Sequence, residues 1–132
     1  MLPHETKVLL IDDSKHVRLL VRMALKKLGF STILEASDGE EGWQIFQEES
    51  PHLIFLDQIM PRLSGTELLS RIRANDTDTR VIIMSSLTNP EKIIRAKELG
   101  ADHYLLKPFT RDKIVEVLSQ LGWQFAKESI SC

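Results

Sequence analysis

The sequence has one cysteine, Cys132, its last residue, which excludes an internal disulfide and a cysteine-based metal cluster. Long hydrophobic runs are absent as well. The longest wholly apolar stretches, such as Val8–Ile11, Leu53–Leu56 and Val81–Met84, hold four residues each. A bilayer span needs about 20, and a signal-peptide core needs more than these offer. No sign of charge dominates: 17 basic residues face 19 acidic ones, for a net charge of −2. That balance argues against an acidic disordered tail and against a chain held on nucleic acid by bulk positive charge. There is no internal repeat or low-complexity tract, and His4, His16, His52 and His103 share no ligand spacing, reading as surface or loop residues. What is there is 132 residues, 42% of them apolar, room for one domain of about 100–150 residues around a single core. The expectation is a cytoplasmic single domain with no membrane insertion and no direct contact with nucleic acid.

Five times over, a short apolar run is followed by a stretch of helical period. Lys7–Ile11 precedes a helix from about Ser14 to Leu28, in which Val17, Leu20, Val21, Ala24, Leu25 and Leu28 recur at spacings of three and four and mark one face. Gly29 supplies its stop. Thr32–Ala36 leads to a helix capped by Asp38 and carrying Trp43 and Phe46. Leu53–Leu56 leads, after a loop, to Gly65–Ala74 with Leu68, Leu69 and Ile72 on one side. Val81–Met84 leads to a helix from about Pro90, where proline suits the first turn, and His103–Leu106 to Thr110–Leu121 with Ile114, Val117, Leu118 and Leu121 inward. The strand segments are continuous apolar blocks rather than alternating ones, so both of their faces are expected to be covered. The α/β class follows, with a parallel sheet between two helical layers. Right-handed crossovers then bring every strand's C-terminal end to one edge.

Just past those ends stand Asp12 and Asp13 after the first strand, Asp57 after the third, Ser85 after the fourth and Lys107 after the fifth. Three carboxylates, a hydroxyl and an ammonium therefore meet at one edge. Clustered carboxylates resist joint ionisation unless a cation compensates, and hard oxygen donors on short side chains suit Mg2+. A carboxylate beside such an ion, with a cation opposite, is arranged to attack phosphorus. Lys107 can supply the counter-charge and Ser85 can donate to a phosphoryl oxygen. Wet loops explain a polar residue at any one strand end; they explain five together poorly. Two enzymes of similar architecture fit less well. An aspartyl phosphatase would need Asp-x-Asp after the first strand, where this chain has Asp12-Asp13-Ser14, and a flavin protein would need a Ser/Thr/Gly-rich loop in place of Ser14-Lys15-His16.

Asp12-Asp13, Asp57-Gln58-Ile59-Met60-Pro61 with Gly65 following, Ser85, and Lys107-Pro108-Phe109 together resemble the receiver domain of bacterial response regulators, most closely the short chemotaxis-type ones. The resemblance covers about residues 7–121, leaving 1–6 and 122–132 as tails. It implies a flavodoxin-like, doubly wound sheet of five parallel strands in the order 2-1-3-4-5 with five helices. It implies further that Asp57 is the phosphoacceptor of a two-component system or phosphorelay, assisted by Lys107 and Ser85. Asp13, Asp57 and the backbone carbonyl of Ile59 would bind Mg2+ directly, with Asp12 acting mainly through water. The Lys107–Pro108 bond would be cis. Ser85 would be the switch hydroxyl and Tyr104 the switch aromatic, turning in when Ser85 moves.

The phosphodonor implied is a histidine kinase or histidine phosphotransfer protein. The output would be a downstream protein bound at the face of the fourth helix, fifth strand and fifth helix, and a homodimer is compatible with the pattern. Such a module is not an enzyme beyond catalysing its own phosphorylation and dephosphorylation. About ten residues after the last helix are too few for an output domain, so a stand-alone module is expected; the alternative is a receiver cut from a longer DNA-binding or enzymatic regulator. Lys15, Arg18, Arg22 and Lys26 form a basic stripe, either a solvated face or a dock for the phosphodonor. Gly42 stands where the family often has alanine, which would make room for Trp43. Ile59 and Leu87 are apolar where the hydrolytic water would pass, so slow self-dephosphorylation is expected. Trp123 and Phe125 either fold back on the body or make a self-association contact.

Overall fold

Each apolar block forms a strand and each periodic stretch a helix. The computed structural model describes residues 1–130, so Cys132 lies outside it. The order is β1 (Lys7–Ile11), α1 (Lys15–Lys27), β2 (Thr32–Ala36), α2 (Gly39–Glu49), β3 (Leu53–Asp57), α3 (Gly65–Asn75), β4 (Arg80–Ser85), α4 (Pro90–Glu98), β5 (His103–Leu106), α5 (Arg111–Gln120) and a single turn, α6 (Lys127–Ile130). The sheet is parallel throughout and runs β2-β1-β3-β4-β5. Five helices begin with a capping side chain: Ser14, Asp38, Ser64, Asn89 and Thr110 each accept a backbone N–H of the first turn, each worth about 1 kcal/mol. Ser64 and Glu67 complete a reciprocal capping box. No helix among the described residues is long and apolar enough to cross a membrane.

Strand alternation divides the core in two. Val8, Leu10, Leu53, Phe55, Ile82 and Met84 pack with α1 and α5 residues, whereas Leu9, Ile11, Ile54, Leu56, Val81 and Ile83 pack with those of α2, α3 and α4. Coverage of both faces holds for the three central strands and fails at the edges, where Thr32 and Glu35 of β2 and Leu106 of β5 are exposed. An edge strand has one neighbour and a margin that the helices do not reach. The inward face of α1 is also narrower than its spacing suggests. Val21, Leu25 and Leu28 are buried, but Leu20 is 53% exposed beside the equally exposed Leu19 and Met23. At about 100° per residue, Leu20 is a quarter-turn away from Val21 and falls outside the stripe. Of the histidines, His103 departs from a surface or loop setting: it is a half-buried strand residue whose Nε2 lies 2.7 Å from Gln120 Oε1.

Trp123 folds back on the body. Its indole is buried and its Nε1–H donates to Thr6 Oγ1 at 2.9 Å, while Phe125 packs against Phe30. The Met1 ammonium donates to the Gly122 carbonyl at 2.8 Å, and Gln124 N–H donates to the Met1 carbonyl at 3.0 Å. The two flanking stretches thus meet each other.

Gly42 makes room for Ile11 rather than Trp43: a Cβ there would sit 2.6 Å from Ile11 Cδ1. Trp43 instead stacks on Phe46 with Arg71 over its ring. Gly42→Ala gains about 1 kcal/mol of helix propensity but overfills a buried contact at about 1–3 kcal/mol. Urea unfolding should show a net loss of about 1 kcal/mol, largely recovered when Ile11→Val removes the colliding methyl.

Candidate functional site

The parallel sheet delivers the polar residues to one edge. Asp12 leaves β1 with its N–H donated to the Ala36 carbonyl of β2, and its buried side chain accepts the Ser14 N–H on Oδ1 at 2.8 Å. Asp57 is the last residue of β3 and is buried. Just beyond it, Gln58 N–H donates to the Met84 carbonyl and the Gln58 carbonyl accepts Gly65 N–H. A Cβ on Gly65 would collide with the Asp57 carbonyl oxygen, so only glycine lets α3 begin against this backbone. Lys107 follows β5, its N–H donated to the Ser85 carbonyl and its bond to Pro108 cis.

These residues converge. Carboxylate oxygens of Asp12, Asp13 and Asp57 lie within 4.8 Å of one another. The Lys107 ammonium reaches Asp12 Oδ2 at 2.9 Å and Asp57 Oδ1 at 3.2 Å. Asp13 is the exposed member. Burial, reinforced by the charge of Asp12 and more weakly by that of Asp13, pushes the Asp57 carboxyl up to about 6 against the pull of Lys107. Burial also works against the charge on Lys107. The hydrogen bond to Asp12 and the negative charges of Asp57 and Asp12 outweigh it and hold the ammonium above its ordinary value. One ammonium faces three carboxylates, a donor set of hard oxygens with negative charge in excess, which fits a divalent cation.

Ser85 is buried and its Oγ accepts Leu87 N–H at 3.0 Å. Tyr104 is already turned inward, its O–H donated to the Leu87 carbonyl at 3.3 Å. The resemblance implies that Tyr104 turns in when Ser85 moves; in this arrangement both side chains are tied to one residue, Leu87. The Ile59 side chain is exposed in the loop after Asp57. The basic stripe of α1 is half spent: Arg18 and Arg22 both pair with Glu35 of β2, at 3.0 and 3.1 Å. An apolar groove lined by Val17, Leu20, Pro108 and Phe109 adjoins the acidic cluster and shares Lys107 with it. Sequence reasoning missed Glu35 and Gln58, neither of which carries a local signal.

The family described as response regulator receiver domain matches residues 8–119. This chain belongs to that family. The receiver is 30% identical over 114 residues to the chemotaxis protein CheY of Bacillus subtilis, covering 86% of this chain and 95% of the relative. It is 39% identical over 110 residues to a probable CheY of Rhizobium etli, covering 82% and 85%. Among solved structures, the CheX–CheY–BeF3–Mg2+ complex from Borrelia burgdorferi superposes with a TM-score of 0.85 at 28% identity, over 88% of each chain. Vibrio cholerae CheY4 superposes with a TM-score of 0.82 at 30% identity, over 88% and 98%. The chain is thus a phosphoaccepting receiver domain of two-component signalling.

Because the folded receiver holds the Asp57 proton more tightly than an unfolded chain would, ionising Asp57 costs stability. That cost is fully present above about pH 6 and is relieved as pH falls from there toward about 4, the ordinary aspartate value. Without divalent ions, Asp57→Asn should therefore be more stable than wild type at neutral pH by on the order of 1–3 kcal/mol. The gap should close near pH 4 in thermal or urea unfolding.

Proposed function

We propose that Asp57 is the phosphoacceptor. One of its carboxylate oxygens attacks the phosphorus of a phosphohistidine on a histidine kinase or phosphotransfer protein, and the new P–O bond forms as the bond to the histidine nitrogen breaks. The observation that carries this reading is the Lys107 ammonium 3.2 Å from Asp57 and 2.9 Å from Asp12, two members of the carboxylate cluster. Asp13, Asp57 and the Ile59 backbone carbonyl would hold Mg2+, with Asp12 acting through water. Bound there, the ion supplies positive charge against the carboxylates and the phosphoryl oxygens. Lys107 orients the acceptor and then faces the added charge. In this sense the cytoplasmic module catalyses its own phosphorylation and the later hydrolysis.

Phosphorylation exchanges one negative charge for about two and adds three strong acceptors. Moving a two-state equilibrium from nearly all resting to nearly all active takes about 5.5 kcal/mol, and a hydrogen bond to a charged group contributes about 1.5–3 kcal/mol. Ser85 alone falls short. Ser85, Lys107 and nearby backbone N–H groups together suffice for a substantial shift. Turning Ser85 toward the phosphoryl group releases Leu87 N–H, and the Leu87 carbonyl carries the change to Tyr104. The output surface is then the α4-β5-α5 face, where Ile94 and Leu106 are exposed to a downstream protein. The phosphodonor docks on the exposed apolar side of α1, at Leu19, Leu20 and Met23, beside the groove that shares Lys107. A homodimer through the output face is compatible with this arrangement.

One comparison shows a receiver in a second context. The probable transcriptional regulator ycf27 of Porphyridium aerugineum is 36% identical over 104 residues, but this chain spans only 42% of it. There the same fold forms part of a longer regulator. The chemistry read from Asp57 is the same in either setting.

Incubation with Mg2+ and acetyl phosphate should add one phosphoryl group to the wild-type chain, by intact mass, and none to Asp57→Asn. Equal gain in both would overturn the acceptor assignment. Ile59 and Leu87 are apolar and offer no group that could orient the hydrolytic water, so the acyl phosphate should be long-lived. Ile59→Asn should shorten its lifetime severalfold, measured by loss of the phosphorylated mass after the donor is removed.

A further inference from the structure

Gln58 carries an unspent acceptor. The residue is only 8% exposed, and its Oε1 is buried without a hydrogen-bond partner, the one such side-chain atom among the described residues. Buried polar atoms are nearly always paired, because leaving one unpaired forfeits its hydration. The backbone around it is fixed on both sides: Gln58 N–H donates to the Met84 carbonyl at 3.0 Å and the Gln58 carbonyl accepts Gly65 N–H at 2.9 Å. The first of these bonds continues the β3–β4 pairing one step beyond Asp57 and Met84, which sets Gln58 beside Ser85.

Alternation gives the face. Ile54 and Leu56 on β3, and Val81 and Ile83 on β4, pack in the cluster that contains Tyr104. Gln58 and Ser85 continue those two rows, on the side of the sheet away from α1 and α5. The donor most affected by any movement of Ser85 lies there too, since Leu87 N–H is bonded to Ser85 Oγ at 3.0 Å. A serine that turns to a phosphoryl group on Asp57 abandons that N–H. An amide oxygen without a partner stands on the same face in the adjacent row.

We infer that Gln58 is a positioning residue of the switch: its carboxamide oxygen takes over Leu87 N–H when Ser85 turns toward phosphorylated Asp57. The hand-over, which rests on the phosphoacceptor reading of Asp57, favours the switched state twice. It removes an unpaired acceptor from the resting arrangement, and it spares Leu87 from becoming an unpaired donor. Without the amide, both advantages vanish and the serine is held at rest.

Tyr104 is the only tyrosine in the sequence, and its hydroxyl is bonded to Leu87, so fluorotyrosine labelling gives a single 19F resonance that reports on this loop. The whole chain is titrated with beryllofluoride at fixed Mg2+, as wild type, Gln58→Leu and Gln58→Met, the last an unbranched replacement should the first fail to fold. Both variants should need about five- to tenfold more beryllofluoride to shift the resonance half-way. On a Ser85→Ala background, which keeps Lys107, neither should move the midpoint, because no serine remains to hand over. Midpoints equal to wild type, or the same displacement with and without Ser85, would overturn the inference while leaving the phosphoacceptor reading intact. A wild-type chain that does not respond at all would overturn that reading and this one with it.

Discussion

The Lys107 ammonium holds the site together. It bridges the end of β5 to the ends of β1 and β3 through Asp12 and Asp57, two of the three clustered carboxylates. A buried carboxylate left without such a partner would be costly to ionise. Here the partner offsets part of that cost and leaves the rest as a raised proton affinity at Asp57. That remainder is useful. A site short of positive charge gains from a divalent ion, and a carboxylate that is poorly stabilised as an anion is ready to form a bond.

The sheet makes this convergence possible because all its strands point the same way. The acids lie at the ends of β1 and β3 and the lysine just past β5, with β4 between β3 and β5. Each side chain is fixed by backbone bonds that have nothing to do with chemistry: Asp12 to Ala36, Gln58 to Met84, Lys107 to Ser85. Gly65 completes the frame by letting α3 press on the carbonyl of Asp57.

Most of this was legible in the chain. β2 and β5 run over the same residues as the apolar blocks that announced them, because each block is bounded by turn residues. The five polar positions stood out because strand ends are easily located and parallel strands bring those ends together. Other features depend on contacts that are remote in the sequence. Leu20 fits a spacing of three and four with its neighbours, but spacing does not reveal how wide a stripe the sheet will cover. Gly42 seemed to serve Trp43, its neighbour in sequence, and in fact serves Ile11, its neighbour in space. Arg18 and Arg22 formed a stripe on paper, and only the approach of β2 shows that Glu35 engages both. The bond from Tyr104 to Leu87 was equally out of reach, because it depends on the course of the loop after β4.

The clasp between Met1, Gly122 and Gln124 has a topological consequence. Met1 and the stretch after α5 meet beside Thr6, just ahead of β1, whereas the acids sit past the opposite ends of the strands. A short peptide joining Gln124 to Met1 would close this part of the backbone into a ring on the side of the sheet away from the acid cluster. New termini could then be opened at a surface loop such as Asp76–Asp78, leaving the arrangement of acids and lysine untouched.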